Sequence, residues 1–243
     1  MKTNRIFVKI ILMAILVLLG IIVVIHTKTQ LLYDRILVNK EHVLPYNFVP
    51  QRLITINEPM GEKVDKTYKN KLVPRVYKAF KEMQKSASEQ GYEIFVDSSF
   101  RPAEYQDRVF NNSANKNGIE HATKYVAKPG ASEHQTGLAI DIIFRRNNEM
   151  IEPFDGMENE PEIRWLFAHA HEYGFILRYP KNQDNDDFNI ITGFKFEPWH
   201  FRYVGKKSAN EIFARNITLE EHYNMNSNFL DALLMRALHL WYR

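Results

Sequence analysis

The sequence predicts an α+β fold, in which a single domain with a small central antiparallel sheet flanked by helices follows one N-terminal transmembrane helix. Short strand-like and helical runs succeed one another without the regular alternation that builds parallel βαβ units. A long apolar run opens the chain, at residues 6–25. The rest of the 243 residues, 45% of which are hydrophobic over the whole chain, is enough for one sizeable core.

The apolar run 6–25 is interrupted by one charge, Lys9. A helix of about 20 residues crosses the hydrocarbon core of a bilayer, and the long side chain of Lys9 can reach the interface. Residues 25–29 offer no small-x-small cleavage pattern, which favours an uncleaved anchor over an atypical signal peptide. We therefore expect a single-pass protein of the cytoplasmic membrane, with its N-terminus in the cytoplasm and its globular part outside, on the cell-wall side of a bacterium.

Composition divides the chain into four parts. Residues 1–27 are expected to form a cytoplasmic stub and the transmembrane anchor, residues 28–69 a stalk and extended arm, residues 70–223 the globular domain, and residues 224–243 a C-terminal amphipathic helix. The arm should lie against the domain, because its apolar residues are too dense for a disordered segment. The C-terminal helix either caps the domain core or lies on the membrane surface near the anchor.

Periodicity places the elements of the globular domain. Apolar residues at helical spacing predict a helix over 72–87, with Pro74 in its first turn and Gly91 just after its end. Strand-like runs lie at 92–97, 138–144, 175–179, 190–196 and 200–204, and helical runs at 103–111, 162–173, 210–215 and 219–223. The polar segment 112–128 is expected to be irregular.

Composition also excludes several kinds of chemistry. The formal net charge is only +3 and no basic stripe is interleaved with aromatic residues, so nucleic acid is not an expected partner. The chain contains no cysteine, which rules out thiolate zinc sites, a cysteine nucleophile and disulfides.

Two short segments carry the chemistry: SEHQTGLAID at residues 132–141 and EPWH at residues 197–200. His134, Asp141 and His200 supply two imidazoles and one carboxylate, which are ligands of catalytic zinc. A glycine turn followed by a strand can return Asp141 to the metal that His134 binds, and His200 comes from a separate strand. This ligand set leaves the ion with positive charge and one open coordination position for water.

Glu197 adds a second carboxylate that is not a ligand. Pro198 disfavours a helix at this point, so we place Glu197 on a loop beside the metal. From there it can take the proton of a water molecule and pass it to the leaving amine. Since four roles are filled together, a metallohydrolase site is favoured over a set of unrelated structural residues.

Two other polar strings are not interpreted as sites. Residues 169–172, HAHE, are similar to a metalloprotease string, but no histidine follows four positions after the second one. Residues 184–187, DNDD, have oxygen ligands suited to calcium but lack the glycine and the distal glutamate of a calcium loop. We interpret the first as part of an ordinary helix and the second as a solvated turn.

The pattern S-x-H-x-x-G-x-A-x-D followed by E-P-W-H resembles the zinc D-alanyl-D-alanine carboxypeptidases of the VanY type, in subfamily B of the M15 peptidases. Residues 98–101, SSFR, together with Gln106 also resemble the family's S-G-Y-R…Q segment, with the same spacing between arginine and glutamine. Further similar stretches extend the resemblance to about residues 36–223, which is most of the exported part.

The resemblance implies a role for each residue of the site. His134, Asp141 and His200 would bind one Zn²⁺ per chain. Glu197 would be the catalytic base, and Arg101 would steady the developing oxyanion or the terminal carboxylate of the substrate, as a fixed and always charged guanidinium can. The residues implied to line the substrate pocket are Gln106, Ser132, Ser99 and Trp199.

The chain departs from the family's pattern within the SSFR segment and just after it. Ser99 stands for the usual glycine, Phe100 for tyrosine and Pro102 for serine. Phe100 has no phenolic hydroxyl, so it cannot form a hydrogen bond that the tyrosine hydroxyl would form in relatives. The predicted metal ligands are untouched by these changes.

These expectations add up to a membrane-anchored zinc D,D-carboxypeptidase. It would remove the terminal D-alanine from peptidoglycan stem peptides that end in D-Ala-D-Ala, and it would act as a monomer. The resemblance also implies a possible part in glycopeptide resistance, because trimming this D-alanine removes the target of the drug; routine wall remodelling is the alternative.

Three other functions stay open at this point. An L,D-carboxypeptidase acting on tetrapeptide stems would use the same machinery. A catalytically silent zinc module could bind wall peptides, although the presence of both Glu197 and Arg101 speaks against it. A membrane-tethered interaction protein could use the C-terminal helix to bind a partner.

Overall fold

The computed structural model of the chain describes residues 2–59, 70–154, 156–182, 188–226, 232–233 and 236–237. The helices are α1 (Lys2–Asp34), α2 (Pro74–Glu89), α3 (Ala103–Asn117), α4 (Ile119–Tyr125), α5 (Pro161–His169), α6 (Lys206–Arg215) and α7 (Leu219–Asn226), with short 3-10 helices at Glu133–Thr136 and Ala170–Tyr173. The strands are β1 (Ile54–Thr55), β2 (Lys71–Leu72), β3 (Glu93–Ser98), β4 (Ala139–Arg146), β5 (Glu149–Ile151), β6 (Phe175–Leu177), β7 (Phe188–Asn189), β8 (Phe194–Lys195) and β9 (His200–Tyr203).

The centre of the domain is a five-stranded antiparallel sheet. Its strands follow the order β3–β4–β9–β6, and β5 also pairs with β4. The pairs β1–β2 and β7–β8 form two separate two-stranded sheets. This architecture confirms the predicted α+β class, a small antiparallel sheet flanked by helices.

Strand β4 lies at the centre because its residues are apolar on both faces. Ile140, Ile142 and Phe144 are fully buried, and Ile143 is nearly so. A strand that is covered on both faces is a near-continuous apolar run in the sequence. Asp141 interrupts this run and is only partly buried, which marks it as a residue placed there for chemistry.

Helix α2 covers the sheet with an apolar face. Val76, Phe80 and Met83 are fully buried in the main core cluster. They are four and three residues apart, the spacing that places side chains on one face of a helix. Pro74 is the first helical residue, as predicted, because a proline there gives up no intrahelical hydrogen bond. The helix begins two residues later than the periodicity suggested, since Leu72 belongs to β2.

The prediction of an irregular segment at 112–128 is wrong. Helix α3 continues to Asn117, and α4 follows after a single glycine. Within residues 112–128 the buried apolar residue is Ala122, and Phe110 lies two residues before this segment. Two such residues make no helical stripe, so hydrophobic periodicity could not reveal these helices.

The expected strand over 190–196 is also largely wrong. Only Phe194 and Lys195 are in a strand, and the preceding residues form the turn between β7 and β8. Ile190 has a β-branched side chain typical of strands, yet it is 84% exposed at this turn. Tertiary context therefore overrides the local strand preference.

Helix α1 contains a segment that is long and apolar enough to cross a membrane. This segment is Ile11–Asp34, with a mean hydropathy of 2.5 and no buried residues in its apolar window. A signal sequence near the N-terminus meets the same criterion of length and composition. The helix continues well beyond the predicted end of the anchor, so the first residues of segment 28–69 are helical.

The chain after α1 packs into the core of the domain. Ile36, Val38 and Leu44 are buried in the main cluster, and Leu37 is buried in a second cluster with α6 and α7. The Leu44 amide donates a hydrogen bond of 2.8 Å to the carbonyl of Gly130, on the approach to the SEHQTG segment. Of the predicted helix 224–243, α7 includes residues up to 226, and most of the remainder lies outside the described residues.

Replacing Gly130 by alanine should loosen the contact between this arm and the domain. Gly130 has φ +86°, and an added Cβ would lie 2.7 Å from the carbonyl oxygen of Leu44, a backbone atom. Gly91→Ala is the matched control, because φ is +84° and nothing lies within 4 Å. Both variants pay about 1–2 kcal/mol for the left-handed conformation, and overpacking should cost Gly130→Ala at least about 1 kcal/mol more. Urea unfolding measures the difference, and equal losses would contradict it.

Candidate metal centre

The pairing of β4 with β9 brings two of the predicted ligands together. Asp141 and His200 are direct partners in this antiparallel ladder. His134 lies in the 3-10 helix that precedes β4, and Gly137 ends this helix in the left-handed conformation with φ 65°. The glycine lets the chain turn sharply from His134 into the strand that carries Asp141.

The three side chains form a compact group. His134 Nε2 lies 3.3 Å from Asp141 Oδ2, and His200 Nδ1 lies 3.2 Å from Asp141 Oδ1. One ligand atom from each residue lies within 4.8 Å of the other two, and these three residues could hold a metal ion. The structure thus brings together the three residues that the sequence predicted as ligands.

The donor set fits a zinc ion. His134 donates its Nδ1 proton to the Ser99 carbonyl at 2.7 Å, which leaves the Nε2 lone pair directed at the cluster. Asp141 Oδ1 is buried without a hydrogen-bond partner among the described residues, as expected of an atom that needs a cation. Two imidazoles and a carboxylate are ligands that zinc accepts in catalytic sites.

The charges and the burial of the group shift the pKa values of its two histidines in opposite directions. Burial alone would lower the pKa of His200, but the carboxylates of Asp141 and Glu133 outweigh burial and raise it to about 9. Burial and the nearby Arg101 charge lower the pKa of His134, against the opposing pull of Asp141. Since zinc binds the neutral imidazole, metal binding must release a proton from His200.

Glu197 lies on the loop that leads into β9, as predicted. Its amide donates to the carbonyl of Tyr179 at 3.2 Å, and its Oε2 lies 3.7 Å from His200 Nδ1. Burial, with a further contribution from Asp141, raises the pKa of Glu197 to about 7, although His200 opposes the shift. A carboxyl group with this pKa can both accept and return a proton at neutral pH.

Arg101 lies on the other side of the cluster. Its Nη2 is 3.6 Å from Asp141 Oδ2 and also donates to the Ser98 hydroxyl at 3.2 Å. Its Nη1 donates to Gln106 Oε1 at 2.8 Å, and Gln106 in turn donates to the Ala127 carbonyl at 2.7 Å. The guanidinium is therefore held by neutral groups as well as by Asp141, and Gln106 fixes its orientation.

The other predicted pocket residues are placed differently. The Ser99 hydroxyl donates to Asn70 Oδ1 and accepts from the Lys71 amide, so it does not face the metal group. The backbone carbonyl of Ser99 contacts the site instead, because it accepts a hydrogen bond from His134. Ser132 is buried at the start of the 3-10 helix. Trp199 is half-buried, and its carbonyl accepts the Ile142 amide at 2.9 Å.

Sequence reasoning overlooked three charged residues beneath the metal group. Glu133, Arg178 and Arg202 are fully buried and joined in ion pairs of 2.7 and 2.8 Å. Burial raises the pKa of the Glu133 carboxyl, but the charges of the two arginines outweigh it and hold that pKa well below its usual range. A charged residue inside SEHQTG, which otherwise contains turn and ligand residues, was the only signal in the sequence.

The string HAHE at 169–172 spans the last residue of α5 and the 3-10 helix that follows it. His169 pairs with Glu172 at 3.0 Å at the surface. In the part of the chain that the structure describes, His134, Asp141 and His200 form the one group of histidine and acidic side chains that could hold a metal ion. The DNDD string at 184–187 lies outside the described residues.

A His–Asp–His group with both histidines buried, beside a carboxyl of raised pKa on a mixed α+β domain, is the arrangement of a metallohydrolase. The sequence profile of one family, described as VanY: D-alanyl-D-alanine carboxypeptidase, matches residues 69–206, more than half of the chain. The chain belongs to this family, which confirms the predicted resemblance and supports the predicted hydrolase class.

Known proteins of this kind are similar over most of the chain. YodJ of Bacillus subtilis (strain 168), a proposed carboxypeptidase, is 40% identical over 190 residues, which are 77% of this chain and 66% of YodJ. The chain thus spans just under two thirds of that relative. The structure of the LD-carboxypeptidase LdcB matches with a TM-score of 0.66 and 37% identity, over 77% of this chain and 84% of LdcB. The D,D-pentapeptidase VanY of a VanB-type resistance cassette, solved with Zn(II), matches with a TM-score of 0.60 and 27% identity, over 78% and 98%.

The full chain purified in detergent should bind about one zinc ion, and His134→Ala should lose it. Residues that only hydrogen-bond to a metal ligand contribute roughly 10- to 100-fold to metal affinity, and the loss of a direct ligand should weaken binding by more than that. His169→Ala is the control, because it removes a surface histidine that contacts Glu172 and the Trp165 ring and is not part of the metal-binding group. Elemental analysis after dialysis against a zinc buffer measures the content, and equal zinc in both variants would contradict the assignment.

Proposed function

We propose that this protein is a zinc-dependent carboxypeptidase that removes the terminal D-alanine from peptidoglycan stem peptides. The observation that carries the proposal is the His134, Asp141 and His200 group with Glu197 beside it. Family membership supports the reaction class, and a related structure contains Zn(II).

The metal-binding residues have one task, to hold one zinc ion with a coordination position left open. Zinc in such a site supplies a Lewis acid that polarises a carbonyl and makes water acidic enough to lose a proton near neutral pH. His134 Nε2 and His200 Nδ1 both lie next to Asp141, so the two rings would hold the ion through different nitrogen atoms. Asp141 supplies the negative charge that fixes both rings.

Glu197 moves the proton. Its carboxylate accepts a proton from the attacking water and later returns it to the amine of the departing D-alanine. Burial raises the pKa of this carboxyl to about 7 before a metal ion binds, which favours an exchange of protons near neutral pH. Its loop position, next to the ligand His200 and partly open to solvent, suits contact with water and with substrate.

Arg101 recognises negative charge on the substrate. Its guanidinium can bind the terminal carboxylate of the stem peptide or the oxygen on which charge develops. Gln106 and Ser98 hold the guanidinium in place before the substrate arrives. A carboxypeptidase needs such a cation, because its substrate ends in a free carboxylate.

The specificity has two candidates. A D,D-carboxypeptidase is our first choice, in keeping with the description of the family. An L,D-carboxypeptidase is favoured by a different observation, namely that LdcB, an LD-carboxypeptidase, matches with 37% identity against 27% for the D,D-pentapeptidase VanY. Both reactions use the same metal group and the same proton carrier.

We also propose that α1 anchors the protein in the cytoplasmic membrane by a single pass, with the domain on the cell-wall side. The apolar span Ile11–Asp34 supports this location. A substrate in the cell wall supports the orientation, since the site must reach stem peptides outside the cytoplasm.

Glu197→Gln should keep zinc and lose turnover. The amide matches the carboxylate in shape but cannot accept a proton, so kcat should fall about 10²- to 10⁴-fold. Glu89→Gln, at the exposed end of α2, is the control and should leave kcat unchanged. Zinc content and D-alanine release are measured on the full chain in detergent. Full turnover in Glu197→Gln would refute the proposed base.

Stem peptides of two lengths should separate the two specificities. The wild-type chain should release D-alanine from a pentapeptide stem ending in D-Ala-D-Ala, and release should stop when a chelator removes the metal. Mass spectrometry of pentapeptide and tetrapeptide stems after incubation measures the products. Release from the tetrapeptide alone would establish the L,D-carboxypeptidase instead.

A further inference from the structure

A buried ionic network lies directly beneath the metal group. Glu133 Oε1 accepts hydrogen bonds from Arg178 Nε at 2.7 Å and from Arg202 Nη1 at 2.8 Å. All three side chains are completely shielded from solvent. Charges at such depth are costly unless they are paired, so this group is expected to have a specific task.

One oxygen of this carboxylate is left over. Glu133 Oε2 is buried and has no hydrogen-bond partner among the described residues, and the same holds for His200 Nε2. The two atoms face each other at 3.7 Å. This is slightly longer than a hydrogen bond, and a small rotation of the imidazole would satisfy both atoms at once.

We propose that Glu133 is a positioning residue of the metal centre: its free oxygen accepts the Nε2 proton of His200 and thereby directs the Nδ1 lone pair of His200 at the ion. The inference rests on the proposed zinc site and adds the group that orients one of its ligands. An imidazole that donates from one nitrogen binds metal through the other, and a carboxylate partner makes it a stronger ligand.

The geometry of the other ligand supports this assignment. His134 donates its Nδ1 proton to a backbone carbonyl, that of Ser99, and turns Nε2 to the cluster. His200 is reversed, since its Nδ1 faces Asp141 and its Nε2 faces Glu133. The two histidines therefore need opposite tautomers, and Glu133 is the group that selects the tautomer of His200.

The two arginines fix which oxygen of Glu133 is available. Both donate to Oε1, and a guanidinium offers only donors. Arg178 is held in turn by Glu220, and Arg202 donates to the carbonyls of Asp34 and Ile36. The two arginines and their own partners thus fix the position of Glu133, although none of them belongs to the metal-binding group.

Glu133→Gln tests the assignment. The amide oxygen must face the arginines, which only donate, so the amide N–H₂ would face His200 Nε2. This reverses the hydrogen bond and drives the imidazole proton to Nδ1, where it blocks the metal. Zinc affinity should fall about 10- to 100-fold, as for other partners of ligating histidines.

Glu220→Gln is the matched control. Glu220 is buried in the same network and accepts two hydrogen bonds from Arg178, yet it has no contact with His200 in the described structure. Zinc affinity is measured by competition with a chelator, using the full metal-free chain in detergent, and circular dichroism checks folding. The inference expects Glu133→Gln to bind zinc at least about tenfold more weakly than Glu220→Gln. Equal affinities would overturn it.

A measurement on the wild-type chain decides the matter even if the variant does not fold. With ¹¹³Cd²⁺ as the probe and ¹⁵N-labelled histidine, the metal should couple to Nδ1 of His200 and to Nε2 of His134, with a proton on Nε2 of His200. Coupling to Nε2 of His200 would refute the role of Glu133. If the wild-type chain binds neither zinc nor cadmium, the proposed function itself fails, which is a different result.

Discussion

The metal centre depends on one strand register, the antiparallel pairing of β4 with β9 that sets Asp141 opposite His200. Side chains alternate along a strand, so a slip of one residue would move either ligand to the opposite face of the sheet. The register is held by apolar burial on both strands, for instance at Ile140 and its direct partner Phe201. The apolar packing that forms the core of the domain therefore also sets the positions of Asp141 and His200. The short turn at Gly137 then places His134 next to this pair.

The charged network beneath the sheet includes residues outside the part of the chain that the family profile matches. That match covers residues 69–206, whereas Glu220 lies in α7 and its partner Asn39, at 3.1 Å, lies in the arm. A buried ion pair adds little net stability compared with apolar packing, but breaking it is costly. We interpret this network as a device that joins the arm, the sheet and α7 in one arrangement, with Glu133 at its end nearest the ligands.

Sequence reasoning succeeded where the residue types of a short motif, or apolar residues repeated at helical spacing over a long segment, decide the structure. The residue types and their spacing predicted the group of His134, Asp141 and His200, which the structure brings together, and the apolar period located α2. It failed where packing decides: α3 and α4 lack an apolar stripe, and Ile190 is exposed in spite of its strand preference. The ion pairs of Glu133 were equally inaccessible, because its two arginines lie 45 and 69 residues away along the chain.

The end of α1 is hydrogen-bonded to the 3-10 helix that carries His134. The Tyr33 hydroxyl donates to the carbonyl of Thr136 at 2.8 Å, and Arg202 donates to the carbonyl of Asp34 at 3.1 Å. No flexible linker separates the apolar helix from the domain, because α1 continues without interruption to Asp34. With α1 in the membrane, as proposed, the metal centre would be kept at a fixed height above the bilayer. Such an enzyme would act on stem peptides close to the membrane rather than on those in distant layers of the wall.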